Sequence, residues 1–284
     1  MSAVLQNVTH TCFGLSYLLA FGMELARLRW PWESLRIIGL TFGAVGLITH
    51  SLFLAANHPT PATAYGALLA VAWVLAVFYL YGALHYRKHA WAVFVLPLVL
   101  GLVALSFTMV SQPNETAGFT SPPWASGHRF WGAVHGILLL LAAVGVSVGS
   151  VASVMYLVQA RRLRKKMNPL GGMKLLSLER LEQMNRRAVN HAFPLLTAGL
   201  LLGGVLLKEY HDLSDWLSVK VLATVGLWLV FLVLLYLRYA VHVPGRRLAA
   251  FTLVAFALML LVLVATHPLA DASAKPTPAA EGSP

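Results

Sequence analysis

Long apolar runs alternate with short polar breaks along the whole chain. Eight runs stand out, at roughly 3–27, 34–56, 62–85, 89–110, 129–158, 186–208, 218–240 and 246–268. Each reaches the length of about 20 residues that a helix needs to cross a hydrocarbon layer about 30 Å thick. Within a run the apolar residues are contiguous and do not alternate, which argues against barrel strands. Backbone groups in hydrocarbon must be bonded internally, and a helix achieves this inside one segment. The pattern predicts an all-α fold, a polytopic membrane bundle of about eight transmembrane helices.

Composition agrees: 58% of the 284 residues are hydrophobic and 11% are charged. The net charge of +11 changes the picture through its distribution. Arg27, Arg29 and Arg36 fall in the first connection, Arg87 and Lys88 in the third, and Arg238, Arg246 and Arg247 in the seventh. The fifth is the longest basic segment, with Arg161, Arg162, Arg164, Lys165, Lys166, Lys174, Arg180, Arg186 and Arg187. The even connections hold Arg129, Lys208 and Lys220. Basic residues favour the cytoplasmic side, so the odd connections are expected inside and both termini outside. No soluble basic domain is left to bind nucleic acid. The basic fifth connection suits anionic lipid or a docking partner.

A transmembrane domain is expected over 1–269, followed by a disordered extracytoplasmic tail at 270–284, rich in Ala, Pro and Ser. The first run has no basic segment before it and no small-residue cleavage motif after it, so it reads as a retained helix. Cys12 is the one cysteine, which excludes an internal disulfide or a CxxC pair. The loop from Gln112 to Gly127 carries Pro113, Pro122, Pro123 and Trp124, and with Trp131 it fits an interfacial aromatic belt. Gly145-x-x-x-Gly149 predicts a close helix seam. Glu24 and Arg27 have the spacing of a local ion pair. There is no P-loop, dinucleotide fingerprint, HExxH or zinc-spaced Cys/His cluster.

Candidate chemistry lies in the eleven histidines. On the expected topology His10, His50, His135 and His267 occupy one layer near the outer face. An imidazole in hydrocarbon is costly unless it is bonded or ligated. His50 and His135, each among apolar residues, could serve haem iron or could bond a neighbouring helix. His10 and His267 lie closer to the interface. His58, His128 and His211 belong to outer loops, His85 and His89 lie near the inner face, and His191 lies near the inner end of the sixth helix.

The stretch from Leu176 to Gly204 reads LSLERLEQMNRRAVNHAFPLLTAGLLLGG. Its Arg187, Phe193, Pro194, Leu195, Leu196, Thr197 and Gly199 resemble a motif of the cytochrome c assembly protein family, the CcsA/ResC/HemX-like membrane proteins. The helix led by His135 and ending MYLVQARRLRKK, LITHSLFLA around His50, and the final PGRRLAAFTLVAFALMLLVLVATHPLA are similar to further parts of that family. The resemblance covers most of the chain from about Gly39 onward. It implies a haem-handling protein of system II cytochrome c maturation, binding or presenting haem b near the outer face. His50 and His135 would then be ligands to haem iron, with His267 a further cofactor-binding candidate. A CcsB/ResB-like partner and apocytochrome c are implied as well. The chain departs from the full synthetases where their tryptophan-rich WWD segment would stand. That place reads KEYHDLSDWLSVK, with Trp216, and Tyr236 stands near a family histidine. The departure resembles the shorter HemX-like branch. It leaves open a regulatory scaffold that acts on a haem-biosynthesis enzyme without binding haem. An assembly factor is expected rather than a stand-alone enzyme. No inverted repeat marks a transporter.

Overall fold

The computed structural model describes residues 10–59, 63–85, 90–109, 127–165, 175–210, 219–241 and 243–265. They form eight helices: α1 (His10–Arg29), α2 (Glu33–Asn57), α3 (Ala64–His85), α4 (Ala92–Thr108), α5 (Gly127–Arg164), α6 (Leu178–Tyr210), α7 (Val219–Tyr239) and α8 (Gly245–Ala265). No strand occurs among the described residues. Six helices, α2, α3 and α5 to α8, are long and apolar enough to cross a membrane. Helix α4 is apolar but has 17 residues, and α1 carries Glu24, Arg27 and Arg29 within its 20. Large apolar side chains cover the outer faces: Ile48 is 59% exposed, Leu201 67% and Leu261 62%. Water would penalise such a surface, whereas lipid matches it. The chain is an integral membrane protein.

The helices pack as two halves. In the first, α1 lies along α2, α3 along α4, and α1 on α4. Its core contains Phe13, Tyr17, Leu68, Leu75, Tyr79 and Trp91. In the second, α5 carries α6 on one side and α8 on another, and α7 packs on α8. Its core contains Val146, Val189, Leu196, Leu227, Phe231 and Met259. Helices α3 and α4 join the halves by leaning on α5.

Small residues set these approaches. The buried stripe of α2 runs Gly39, Gly43, Gly46, His50 and Phe53. A Cβ on Gly46 would stand 2.8 Å from the Tyr17 ring, so α1 and α2 require glycine there. Gly46→Val is expected to cost about 1–3 kcal/mol by overpacking. A fall in apparent melting temperature in detergent would register it. Gly22→Val, where a Cβ meets nothing within 4 Å, is the control. The Gly145 and Gly149 seam packs as its spacing predicts: Gly145 faces Ala192 of α6, and Gly149 faces Ala188 and Thr252. Arg27 Nη1 donates to Glu24 Oε2 at 3.3 Å, a local pair within α1.

The boundaries around the basic segment differ from the sequence expectation. Helix α5 runs on to Arg164 and α6 begins at Leu178, so Arg161, Arg162, Arg164, Arg180, Arg186 and Arg187 lie in helix rather than in a loop. The start of α6 is amphipathic. Leu181, Asn185, Val189 and Ala192 are buried at helical spacing while Glu182, Arg186 and Arg187 face outward. The Ser177 hydroxyl accepts from Arg180 N–H at 3.4 Å and caps the helix. Charges on the outward face interrupt the hydropathy run without interrupting the helix. At 38 residues α5 is about 57 Å long, well beyond the hydrocarbon thickness of about 30 Å.

The loop containing Trp124, the segment 211–218, His267 and the tail 270–284 lie outside the described residues.

Candidate ligand site

A cavity of about 400 Å³ lies between α3 and the second half of the bundle. Val71, Leu139, Leu196, Phe231 and Met259 supply apolar walls, and His135 and Thr224 are the polar side chains in its lining. Gly132 and Gly136 of α5 also border it, and a Cβ at either would meet nothing within 4 Å. The α5 backbone is therefore open to the cavity one turn apart, on both sides of His135.

His135 is held from α6. Its Nδ1 lies 2.8 Å from the carbonyl oxygen of Gly199. A carbonyl can only accept, so Nδ1 carries the proton and Nε2 keeps the lone pair of the neutral ring. That is the arrangement of ligating histidines, whose second nitrogen donates to a backbone carbonyl. Gly203, one turn further on, gives the ring its place: a Cβ there would stand 2.7 Å from His135 Cε1.

The sequence motif of α6 builds this support. Pro194 lies inside the helix. Phe193 stacks on Trp228 of α7 with ring centroids 5.8 Å apart. Thr197 Oγ1 accepts from Trp228 Nε1 at 2.9 Å and donates to the Phe193 carbonyl at 2.8 Å. Leu196 enters the cavity wall. A Cβ on Gly199 would stand 2.7 Å from Leu139 Cδ2, so glycine lets α6 present its carbonyl to His135. Trp228→Phe is expected to loosen α7 against α6, raising the protease sensitivity of that helix pair without removing His135.

His50 sits elsewhere. It is fully buried between α1 and α2, stacked on Phe13 with centroids 4.2 Å apart and ring planes 2° from parallel. The Tyr17 hydroxyl lies 3.4 Å from its Nδ1. His50 does not line the cavity that His135 faces. His10 begins α1. His58 takes a positive φ of 42° at the end of α2, His85 stacks on Tyr81, and His191 Nδ1 donates to the Arg187 carbonyl at 2.6 Å. Among the described residues no three His, Cys, Asp or Glu side chains gather to hold a metal ion.

A buried polar layer in the second half has no counterpart in the sequence expectations. The two N–H groups of Asn185 Nδ2 are shared among three acceptors, Gly149 O at 3.1 Å, Ser153 Oγ at 2.8 Å and Thr252 Oγ1 at 3.1 Å. Arg238 Nη2 donates to Asn185 Oδ1 at 2.7 Å. The readable signal was a lone Asn on the otherwise apolar stripe of α6.

The chain is thus a polytopic helical membrane protein whose apolar cavity carries one oriented imidazole. Residues 62–267 match the family described as Cytochrome C assembly protein, and the chain belongs to that family. Among its relatives is the cytochrome c biogenesis protein CcsA of Guillardia theta, 24% identical over 199 residues, covering 64% of this chain and 65% of that one. The protein of the same name from Gloeobacter violaceus is 22% identical over 261 residues, covering 74% and 76%. That of a Synechococcus species is 24% identical over 268 residues, covering 74% and 75%. No solved structure matches significantly.

Proposed function

We propose that this protein handles haem in cytochrome c maturation, holding it in the cavity between α3 and α5 to α8 with His135 as an axial ligand. One observation carries the reading: the Gly199 carbonyl fixes the His135 tautomer and leaves Nε2 for a metal, beside an apolar cavity. The residues fit the group. A single imidazole suits a metal that brings its own equatorial ligands, and the opening along Gly132 and Gly136 leaves room for a planar ring. The volume falls in the usual range for cofactor sites, about 300–1,000 Å³. When bound, haem would supply its iron as the centre that is carried and presented. The chain's own residues exclude water, orient the ring and fix the proton on Nδ1. His50 and His267 are further candidate ligands of the same proposal, His50 in its own aromatic pocket.

On this reading α1 and α4 cross the membrane with the other six helices, both termini lie outside, and the cavity sits near the outer face of a bacterial-type inner membrane. The transmembrane domain covers 1–269 and the tail 270–284 is extracytoplasmic. Haem b, apocytochrome c and a CcsB/ResB-like chain are the proposed partners, with anionic lipid at the basic ends of α5 and α6. The names of the relatives and the family membership support this assignment. The test is the optical spectrum of protein purified from a haem-replete host. A Soret band that falls on replacing His135, and the same measurement for His50, would support it. A haem-free protein that takes up none at micromolar concentration would overturn it. That outcome would favour the HemX-like scaffold, which the lone Trp216 in place of a tryptophan-rich segment brings forward.

A further inference from the structure

A second, much smaller void of about 10 Å³ lies further along the same helices. Val146 and Phe231 line the large cavity, and Ser153 and Arg238, seven residues on, line the small one. That separation is about 10 Å along each axis. Four helices meet here: Tyr156 from α5, Glu182 and Asn185 from α6, Arg238 from α7 and Gly245 from α8.

The charge in this lining is incompletely matched. Arg238 is 9% exposed and its Nη2 is bonded to Asn185, yet its buried Nη1 has no hydrogen-bond partner among the described residues. No ion pair joins it to a carboxylate among the described residues. A buried guanidinium needs its remaining donors satisfied. Glu182, whose side chain is exposed on the outer face of α6, borders the rim of the same void. The absent side chain of Gly245 lets two oxygens reach the edge: a Cβ there would stand 2.8 Å from the Tyr156 hydroxyl and 3.0 Å from Glu182 Oε2. A void of roughly 10–15 Å³ holds one water, which needs two to four polar partners.

We propose that this void is a single-water site bridging Arg238 to Glu182, with the Tyr156 hydroxyl as third partner. The water accepts from Arg238 Nη1 and from Tyr156, and donates to the Glu182 carboxylate. A neutral occupant fits because both charges already border the void, and a small anion would face the carboxylate. The bridge completes a polar knot that ties α5, α6, α7 and α8 together at the end of the bundle remote from His135. It holds the cavity walls in register whether or not the cavity is filled.

The test is a double-variant comparison on the full chain in one detergent. Arg238→Met and Glu182→Gln are each expected to lower the apparent melting temperature, by about 3 °C or more. The pair together should lose no more than Arg238→Met alone. Gly245→Ala, which pushes into the void, should give a similar loss, and Tyr156→Phe, a change small enough to leave the fold intact, a smaller one. Additive losses in the pair, or no loss in Gly245→Ala and Tyr156→Phe, would overturn the bridge. So would a melting temperature that rises when gluconate is replaced by chloride, since the site would then hold an anion. Cryo-EM density for one water within hydrogen-bond distance of Arg238 Nη1 is the direct expected result.

Discussion

His135→Ala is expected to strip haem from the purified protein, lowering affinity by more than about 100-fold. The magnitude follows from comparison: loss of a residue that merely orients a metal ligand typically costs about 10–100-fold, and loss of the ligand exceeds that. The orienting step can be tested separately. Gly203→Ala leaves every donor in place but puts a methyl where His135 Cε1 lies 2.7 Å away. The ring must turn, and its bond to the Gly199 carbonyl must lengthen or break. An affinity loss of about 10–100-fold is expected for this variant. Titration with haem, followed at the Soret band, measures both. Added imidazole should restore binding to His135→Ala, because the cavity and its glycine face remain, and should do little for Gly203→Ala. His191→Ala removes an exposed histidine that bonds its own helix, and should change nothing. Unchanged haem content in His135→Ala and Gly203→Ala would remove His135 from the site.

The run lengths made the six membrane-length helices legible because a membrane span is dictated by continuous apolar length, a property of the sequence itself. The ends of α5 and α6 were less legible for a physical reason. Beyond the hydrocarbon a helix needs only one apolar stripe, and Leu181, Val189 and Ala192 supply it beneath a charged face. An expected topology assigns the histidines an expected layer, but it names none of their partners. The acceptor for His135 is a backbone carbonyl, which no residue type announces. Gly199 hinted at it through the motif it belongs to, and Gly203 only through the close packing of two helices. His50 illustrates the opposite limit. Its apolar neighbours in sequence say nothing of Phe13 and Tyr17, which reach it from another helix. Arg238 read as an ordinary inner-face charge at the end of a run, whereas it turns inward to Asn185, 53 residues earlier in the chain.

Asn185→Leu is expected to be the most destabilising single change in the second half of the bundle. Asn185 is 4% exposed and bonds residues of α5, α7 and α8 from α6. Leucine keeps the branching of asparagine but is larger, so the lost hydrogen bonds and some overpacking act together. Ser153 and Thr252 retain acceptors within their own helices, the Gly149 and Leu248 carbonyls, so their hydroxyls stay satisfied. Arg238 has no such fallback: Nη2 loses its acceptor while the guanidinium stays buried. Stranding a buried donor costs about 1–3 kcal/mol, and more when it is charged, and the lost bonds to α5 and α8 add to that. The remedy distinguishes a stranded charge from poor packing. Adding Arg238→Met to Asn185→Leu should recover much of the loss, since an apolar pair of similar volume replaces a polar one. Apparent melting temperatures of the two single variants and the double, in one detergent, check this. A double variant less stable than either single would mean that Asn185 acts through shape and not through Arg238.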